Sequence, residues 1–247
     1  MPQIFIGPEN FRDGIIVLKG DDFHHLARVR RIKAGESVTV RDHAGKKLVS
    51  RVLHIHDSSM ELIPLDVSED AGPVPDLVLC AGLLKGKKMD LVVQKCTEIG
   101  VGSIIPFTSR RCVSQPGENE MGKVQRWRKI AAEASKQSMR HSVPDIEEVC
   151  PFGPLIKRGR KGLRIIANPG AGRNFRNFLS GEKERGGDGV RDISLIIGPE
   201  GGFDPKEIHD AEGEGWVSLN FGFTELRAET ASIVLSAVIL YEMGGMD

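Results

Sequence analysis

The sequence predicts an α/β domain with a largely parallel sheet, preceded by a smaller β-rich unit, and three observations carry that prediction. Short runs of β-branched residues between Gly and Asp turns occupy residues 1–70. From residue 76 onward, buried-strand runs alternate with amphipathic helical stretches. Between the two lies Asp66-Val-Ser-Glu-Asp-Ala-Gly-Pro-Val-Pro75, an acidic stretch bearing Pro and Gly that reads as a linker, with the domain boundary at 71–75.

In the first unit, Gly14-Ile-Ile-Val-Leu18, Ser37-Val-Thr-Val40 and Leu48-Val-Ser-Arg-Val-Leu-His-Ile55 read as strands. A short helix is predicted over Asp22–Ile32, because Phe23, Leu26, Val29 and Ile32 fall on one face. Its other face carries His24, His25, Arg28, Arg30 and Arg31.

In the second unit, Leu77-Val-Leu-Cys-Ala81 is a strand, and Met89–Ile99 is an amphipathic helix closed by Gly100. Ser103-Ile-Ile-Pro-Phe107 is the next strand. Lys123–Met139 is a long basic helix with Val124, Trp127, Ile130, Ala131 and Ala134 along one side. Leu163–Ala167, Ile193–Ile197 and Trp216–Leu219 are further strands, and residues 181–191 read as a loop rich in Gly and charge. The apolar stretch Ala228–Met243 closes the chain as a helix stopped by Gly244-Gly245.

Composition narrows the function. No run of about 18 apolar residues is present, so no membrane span is expected. Met1-Pro-Gln-Ile-Phe-Ile6 lacks the pattern of a signal peptide. Cys80, Cys96, Cys112 and Cys150 form no CxxC pair and read as reduced thiols of a cytoplasmic protein, with no metal site expected. Net charge is zero, but it is unevenly spread. Residues 73–164 hold 17 basic and 9 acidic side chains, whereas 165–247 hold 7 and 14. That basic middle third is a candidate polyanion-binding face.

Ligands of open α/β sheets bind at the carboxyl ends of the strands. Three strands here run into suitable loops: Asn168-Pro-Gly-Ala-Gly172, Gly198-Pro-Glu-Gly-Gly-Phe203 and Asn220-Phe-Gly-Phe-Thr-Glu-Leu226. Glycines 198, 201 and 202 permit close approach and positive φ. Asp204-Pro205-Lys-Glu207 then reads as an N-cap, a Pro at N1 and a capping-box Glu. The spacing is neither a dinucleotide fingerprint nor a P-loop. Arg227, Glu229 and Thr230 stand at the start of the last helix, where Glu229 would suit the helix dipole. Glu133, Gln137 and Arg140 are spaced to share a face of the basic helix, and Lys85-Gly-Lys-Lys88 follows the first strand of the domain.

Five of these segments, in order, resemble the ribosomal small-subunit RNA methyltransferase E family of the SPOUT superfamily. They are His24-His-Leu-Ala-Arg-Val-Arg-Arg31; Lys85–Asp90 with Gln94-Lys-Cys-Thr-Glu-Ile-Gly-Val101; Glu133-Ala-Ser-Lys-Gln-Ser-Met-Arg140; Ile197-Gly-Pro-Glu-Gly-Gly-Phe203; and Leu226-Arg-Ala-Glu-Thr-Ala231. The resemblance implies a PUA-like β-barrel RNA-binding domain over 1–70 and a SPOUT domain over 76–247. The second domain would carry a trefoil knot, bind S-adenosylmethionine and form a homodimer. The implied reaction is methylation of N3 of one uridine in the decoding region of 16S ribosomal RNA. One departure is plain: where the family has Gly-x-Arg-Ile-Leu-Arg, Gly222 is followed by Phe-Thr-Glu-Leu-Arg, placing Thr224 and Glu225 at the Arg-Ile positions.

On this reading Ile197, Gly198, Pro199, Glu200, Gly201 and Gly202 hold the cofactor from one side. Asn168, Phe221, Gly222, Glu225 and Leu226 hold it from the other. Arg227 stabilises the uridine anion, and Glu229 orients Arg227 or accepts a proton. Arg28, Arg30, Arg31, Lys85, Lys87, Gln137 and Arg140 are the RNA-binding candidates. Two alternatives remain at this point: a SPOUT ribose 2′-O-methyltransferase, and a non-catalytic RNA-binding protein whose cofactor site has decayed at Thr224 and Glu225.

Overall fold

The computed structural model describes residues 4–42, 46–68, 76–112, 120–140, 142–158, 162–184, 192–222 and 224–245. The linker expected at 71–75 lies outside them. Contacts divide the chain into two units, one of residues 1–72 with 135–143, the other of 73–134 with 144–247.

The first unit is a six-stranded sheet. Its strands are β1 (Phe5–Ile6), β2 (Phe11–Arg12), β3 (Ile15–Lys19), β4 (Ser37–Asp42), β5 (Lys47–Ile55) and β6 (Ser59–Ser68), in the order β1-β4-β5-β6-β3-β2. All neighbours are antiparallel except β1 and β4. Ile16, Leu18, Val40, Val52, Met60 and Leu62 alternate inward along these strands to form its core. Strand β6 is absent from the sequence reading and takes in Asp66–Ser68 of the predicted linker. Its Pro64 and its exposed Ile63, Leu65 and Val67 hide the two-residue period.

The helix predicted over Asp22–Ile32 is shorter and irregular. Helix α1 (Gly20–His24) passes into a π-helical turn over His25–Val29, and Arg31 has φ +53°. The wider turn rotates Val29 off the apolar face, while Ile32 beyond it rejoins the core. Phe23 and Leu26 are buried, but Val29 is 63% exposed.

The second unit is a parallel sheet with helices. Strand β7 (Asp76–Gly82) is followed by α2 (Lys88–Ile99), β8 (Ser103–Thr108) and α3 (Glu120–Gln137). Then come β9 (Asp145–Ile146), β10 (Cys150–Pro151), α4 (Phe152–Ile156) and β11 (Leu163–Ala167). After these follow α5 (Phe175–Glu184), β12 (Asp192–Ile197), α6 (Pro205–Gly213), β13 (Val217–Leu219) and α7 (Ala228–Glu242). The order is β10-β8-β7-β12-β11-β13, with β9 also on β8, and every pairing is parallel. The near-continuous apolar runs of β7, β8 and β12 follow from burial on both faces.

Helix boundaries follow local chemistry. Gly100, at φ +112°, caps α2 as predicted. Helix α3 ends earlier than its sequence pattern suggests. Met139 adopts φ +57° and the Arg140 N–H donates to Ser135 O at 3.1 Å, a Schellman closure. Arg140 therefore lies beyond the helix and does not extend the face of Glu133 and Gln137. Residues 181–184, read as loop, belong to α5, whose Phe175, Phe178 and Leu179 are buried at helical spacing.

Candidate active site

Strand β12 lies between β7 and β11, so the ends of β11, β12 and β13 open into one region, as a parallel sheet requires. A cleft of about 700 Å³ occupies it. Asn168, Ile197, Gly198, Pro199, Glu200 and Gly201 line it, as do Gly202, Phe221, Gly222, Glu225, Leu226 and Arg227. The structure thus collects the eleven cofactor candidates and Arg227 in one place.

The 198–203 turn is determined from within. A Cβ at Gly198 would come within 2.9 Å of the Phe203 ring, and one at Gly201 within 2.7 Å of Arg111 O. Gly202 has φ +66°. Gly202 thus meets the positive-φ expectation, while Gly198 and Gly201 are required by the chain's own packing and not only by ligand approach. Phe203 stacks on Phe107 at 6.3 Å and tilts against Phe152 at 5.6 Å. The predicted helix start is present: Lys206 N–H donates to Asp204 Oδ1 at 3.0 Å, and Glu207 Oε2 accepts from Asp204 N–H at 2.9 Å. Glu207 Oε1 also accepts from Arg110 N–H at 2.9 Å, tying the turn to the segment after β8.

The loops after β11 and β13 are sewn together by two asparagines. Asn168 Oδ1 accepts from Gly170 N–H at 3.0 Å, and its Nδ2 donates to Ser218 Oγ at 3.1 Å. Asn220, which the sequence reading did not select, donates to Pro169 O at 2.9 Å and accepts from Gly222 N–H at 2.8 Å. Phe221 stacks on Phe175 at 4.5 Å.

Beyond Gly222 the wall changes character. Thr224, Glu225, Leu226 and Arg227 are all exposed to the cleft or solvent. Arg227 begins α7, with its carbonyl accepting from Ala231 N–H at 2.8 Å, but its side chain makes no cap. Its backbone is pinned while its guanidinium is available. Glu229 is in the first turn of α7 and does not line the cleft. Its carboxylate faces Lys88 Nζ at 3.4 Å, and no contact with Arg227 is seen among the described residues.

Lys88 and Arg111 also line the cleft and were absent from the predicted set. Lys88 Nζ donates to Glu200 Oε1 at 3.2 Å, and the same oxygen accepts from Lys85 N–H at 3.2 Å. The Glu200 hydrogen bond, with the nearby Glu229 charge, raises the Lys88 pKa against an opposing desolvation. For Glu200, burial alone would raise the pKa, but the hydrogen bonds from Lys85 and Lys88 outweigh it and the net shift is downward. The contribution of Glu200 is thus lost as pH falls through a value below 4.5, and that of Lys88 as pH rises through one above 10.5. The pair is fully charged around neutrality. Neither lysine's partner could be read from spacing, since 112 residues separate Lys88 from Glu200.

The RNA-binding candidates are placed as follows. Arg28, Arg30 and Arg31 are exposed around the π-helical turn, Lys85 and Lys87 are exposed before α2, and Gln137 is exposed at the end of α3. Arg140 is half-buried, and desolvation lowers its pKa to about 10, which leaves it charged at neutral pH. No helix among the described residues is long and apolar enough to cross a membrane.

A family model described as RNA methyltransferase domain matches residues 71–240, and one described as RNA methyltransferase PUA domain matches 18–65. Ribosomal RNA small subunit methyltransferase E of Synechocystis is 26% identical over 96% of this chain and 76% of its own. Ribosomal RNA small subunit methyltransferase E 2 of Borreliella burgdorferi is 30% identical, with 94% of each chain covered. A Legionella pneumophila methyltransferase, solved in complex with bound SAM, superposes with a TM-score of 0.78 at 26% identity, covering 98% of both chains. The chain belongs to the ribosomal RNA small subunit methyltransferase E family of RNA methyltransferases.

Proposed function

We propose that this protein transfers a methyl group from S-adenosylmethionine to N3 of a uridine in the decoding region of 16S ribosomal RNA. The observation that carries the reading is the single cleft in which three strand ends and Arg227 meet. Its relatives are named for small-subunit ribosomal RNA, and the Legionella chain holds SAM. A volume of about 700 Å³ is ample for such a cofactor. Ile197, Leu219, Phe221 and Leu235 offer apolar surface to a purine, and the 198–202 backbone offers polar groups to its ribose.

When bound, S-adenosylmethionine supplies a methyl group on a cationic sulfur. The chain's own residues do the rest. Uridine N3 gives up its proton to solvent water, Arg227 stabilises the anionic ring so formed, and the N3 lone pair then bonds to the methyl as the methyl's bond to sulfur breaks. Holding the reacting atoms in line lowers the barrier further. Glu229 acts from behind the wall, fixing the start of α7 from which Arg227 projects. Arg28, Arg30, Arg31, Lys85, Lys87, Gln137 and Arg140 position the folded RNA through phosphate and shape contacts.

We assign residues 1–70 to a PUA-like RNA-binding domain, 71–75 to a linker and 76–247 to a SPOUT domain with a trefoil knot. The support for the knot is the strand order, in which β12 lies between β7 and β11 although both precede it. Val234, Val238 and Tyr241 leave an exposed apolar stripe on α7, which a second copy in a cytoplasmic homodimer would cover.

The test is nucleoside mass spectrometry of ribosomal RNA from cells with and without the gene. Loss of 3-methyluridine is expected. Loss of a ribose-methylated nucleoside instead, or an unchanged profile, would overturn the reading.

A further inference from the structure

Lys88 opens α2 and reaches two carboxylates on elements remote from it in sequence. Its ammonium lies 3.2 Å from Glu200 Oε1 in the 198–203 turn and 3.4 Å from Glu229 Oε2 in the first turn of α7. Glu229 Oε2 is sealed from solvent and makes no hydrogen bond. Lys88 is the charge that faces it, across an ionic contact without hydrogen-bond geometry. Without that ammonium, a buried oxygen of a carboxylate would be left uncompensated, which proteins tolerate poorly. Glu200 is held a second time, by Lys85 N–H at 3.2 Å, so the turn is tied to the segment after β7 at both its main chain and its lysine. The close fit of Gly82 at the end of β7, where a Cβ would come within 2.5 Å of Pro199 N, leaves the turn little room to move on that side.

We infer that Lys88 is a positioning residue that clamps the 198–203 turn to the first turn of α7, setting the spacing between the two walls of the cofactor cleft. The inference rests on the reading of that cleft as the S-adenosylmethionine site. An ammonium suits the task better than a neutral donor, because it can satisfy two carboxylates that would otherwise repel. Because the sealed Glu229 oxygen would lose its compensating charge, removing Lys88 lowers the melting temperature as well, and the mark of a clamp is a loss of ligand affinity in the still-folded protein.

The experiment is calorimetric titration of S-adenosylmethionine into the full-length protein and its Lys88→Met, Lys88→Arg and Glu229→Gln variants, with thermal melting alongside. Lys88→Met should weaken binding about ten-fold or more at a temperature where the variant is still folded, with a lowered melting temperature beside it. Lys88→Arg keeps the charge and the reach, and should recover affinity to within about three-fold. Glu229 does not itself line the cleft, yet Glu229→Gln should weaken binding by about three-fold or more, because one half of the clamp is gone. In steady-state assays the loss should fall on the cofactor KM, with the RNA KM unmoved. Lys88→Met binding within about two-fold of wild type overturns the clamp, as does a Glu229→Gln variant that binds normally. Wild-type protein that binds no S-adenosylmethionine overturns the cofactor reading and the clamp together, whereas normal wild-type binding with an indifferent Lys88→Met overturns the clamp alone.

Discussion

The 198–203 turn and the 220–227 loop are two walls of one cleft, and they are built on opposite plans. In the first, Gly198 and Gly201 answer to the Phe203 ring and to Arg111 O, Phe203 is stacked among Phe107 and Phe152, and Asp204 and Glu207 close a capping box. In the second, the side-chain packing is that of Phe221 on Phe175, with Asn220 bonded to Pro169 O and Gly222 N–H. Thr224, Glu225, Leu226 and Arg227 are exposed and are held through the backbone where α7 begins. The first wall takes its shape from the chain's own packing, whereas the second leaves side chains exposed to whatever enters the cleft. The Thr224-Glu225 departure from the family pattern falls on this second wall, where a change disturbs no packing.

Substitutions on the two walls should therefore separate activity from stability. Arg227→Ala, on the open wall, should lower the rate of methyl transfer by about 10²–10³-fold or more while cofactor affinity stays within a few-fold. Single-turnover kinetics beside calorimetry would show it, and near-normal turnover would remove Arg227 from the chemistry. Gly198→Ala, on the closed wall, forces a Cβ against the Phe203 ring and should cost about 1–3 kcal/mol of stability, measured by urea unfolding. An unshifted midpoint would mean that the turn yields more easily than its contacts suggest. Asp204→Ala removes the cap of α6 and should cost about 1 kcal/mol in the same measurement. Leu226→Ala should change stability by no more than about 0.5 kcal/mol, since its side chain is 42% exposed. A larger loss there would erase the contrast between the walls.

Salt dependence sharpens the comparison from another direction. RNA affinity should fall steeply between low and moderate salt, because Arg28, Arg30, Arg31, Lys85 and Lys87 are exposed cations with phosphates as their natural partners. Affinity for S-adenosylmethionine, a small ligand that displaces few counterions, should change far less over the same range.

Much of this was legible in the residues. β7, β8, β11 and β12 are apolar runs that can only be buried strands, and Gly100, Asp204-Pro205 and Glu207 mark helix ends by chemistry that acts over three or four residues. The errors share a cause as well. Val29 was placed in a core by helical spacing, and a π-helical turn moved it out. Arg140 was placed on a helical face that Met139 had already ended. β6 was overlooked because one face of it stays exposed and Pro64 interrupts its period. Each is a case of a regular period assumed where the backbone is irregular.

The sequence by itself determined the class of fold, the three glycine-bearing strand ends and the family to which they belong, because these depend on local propensity and short motifs. Only the tertiary structure decided that Lys88 faces Glu200 and Glu229, that Arg111 stands beside the 198–203 turn, and that Asn220 sews two loops together. Those contacts join residues brought together by the parallel crossovers of the sheet. A charge has no preferred sequence distance to its partner, so spacing alone carries no trace of them.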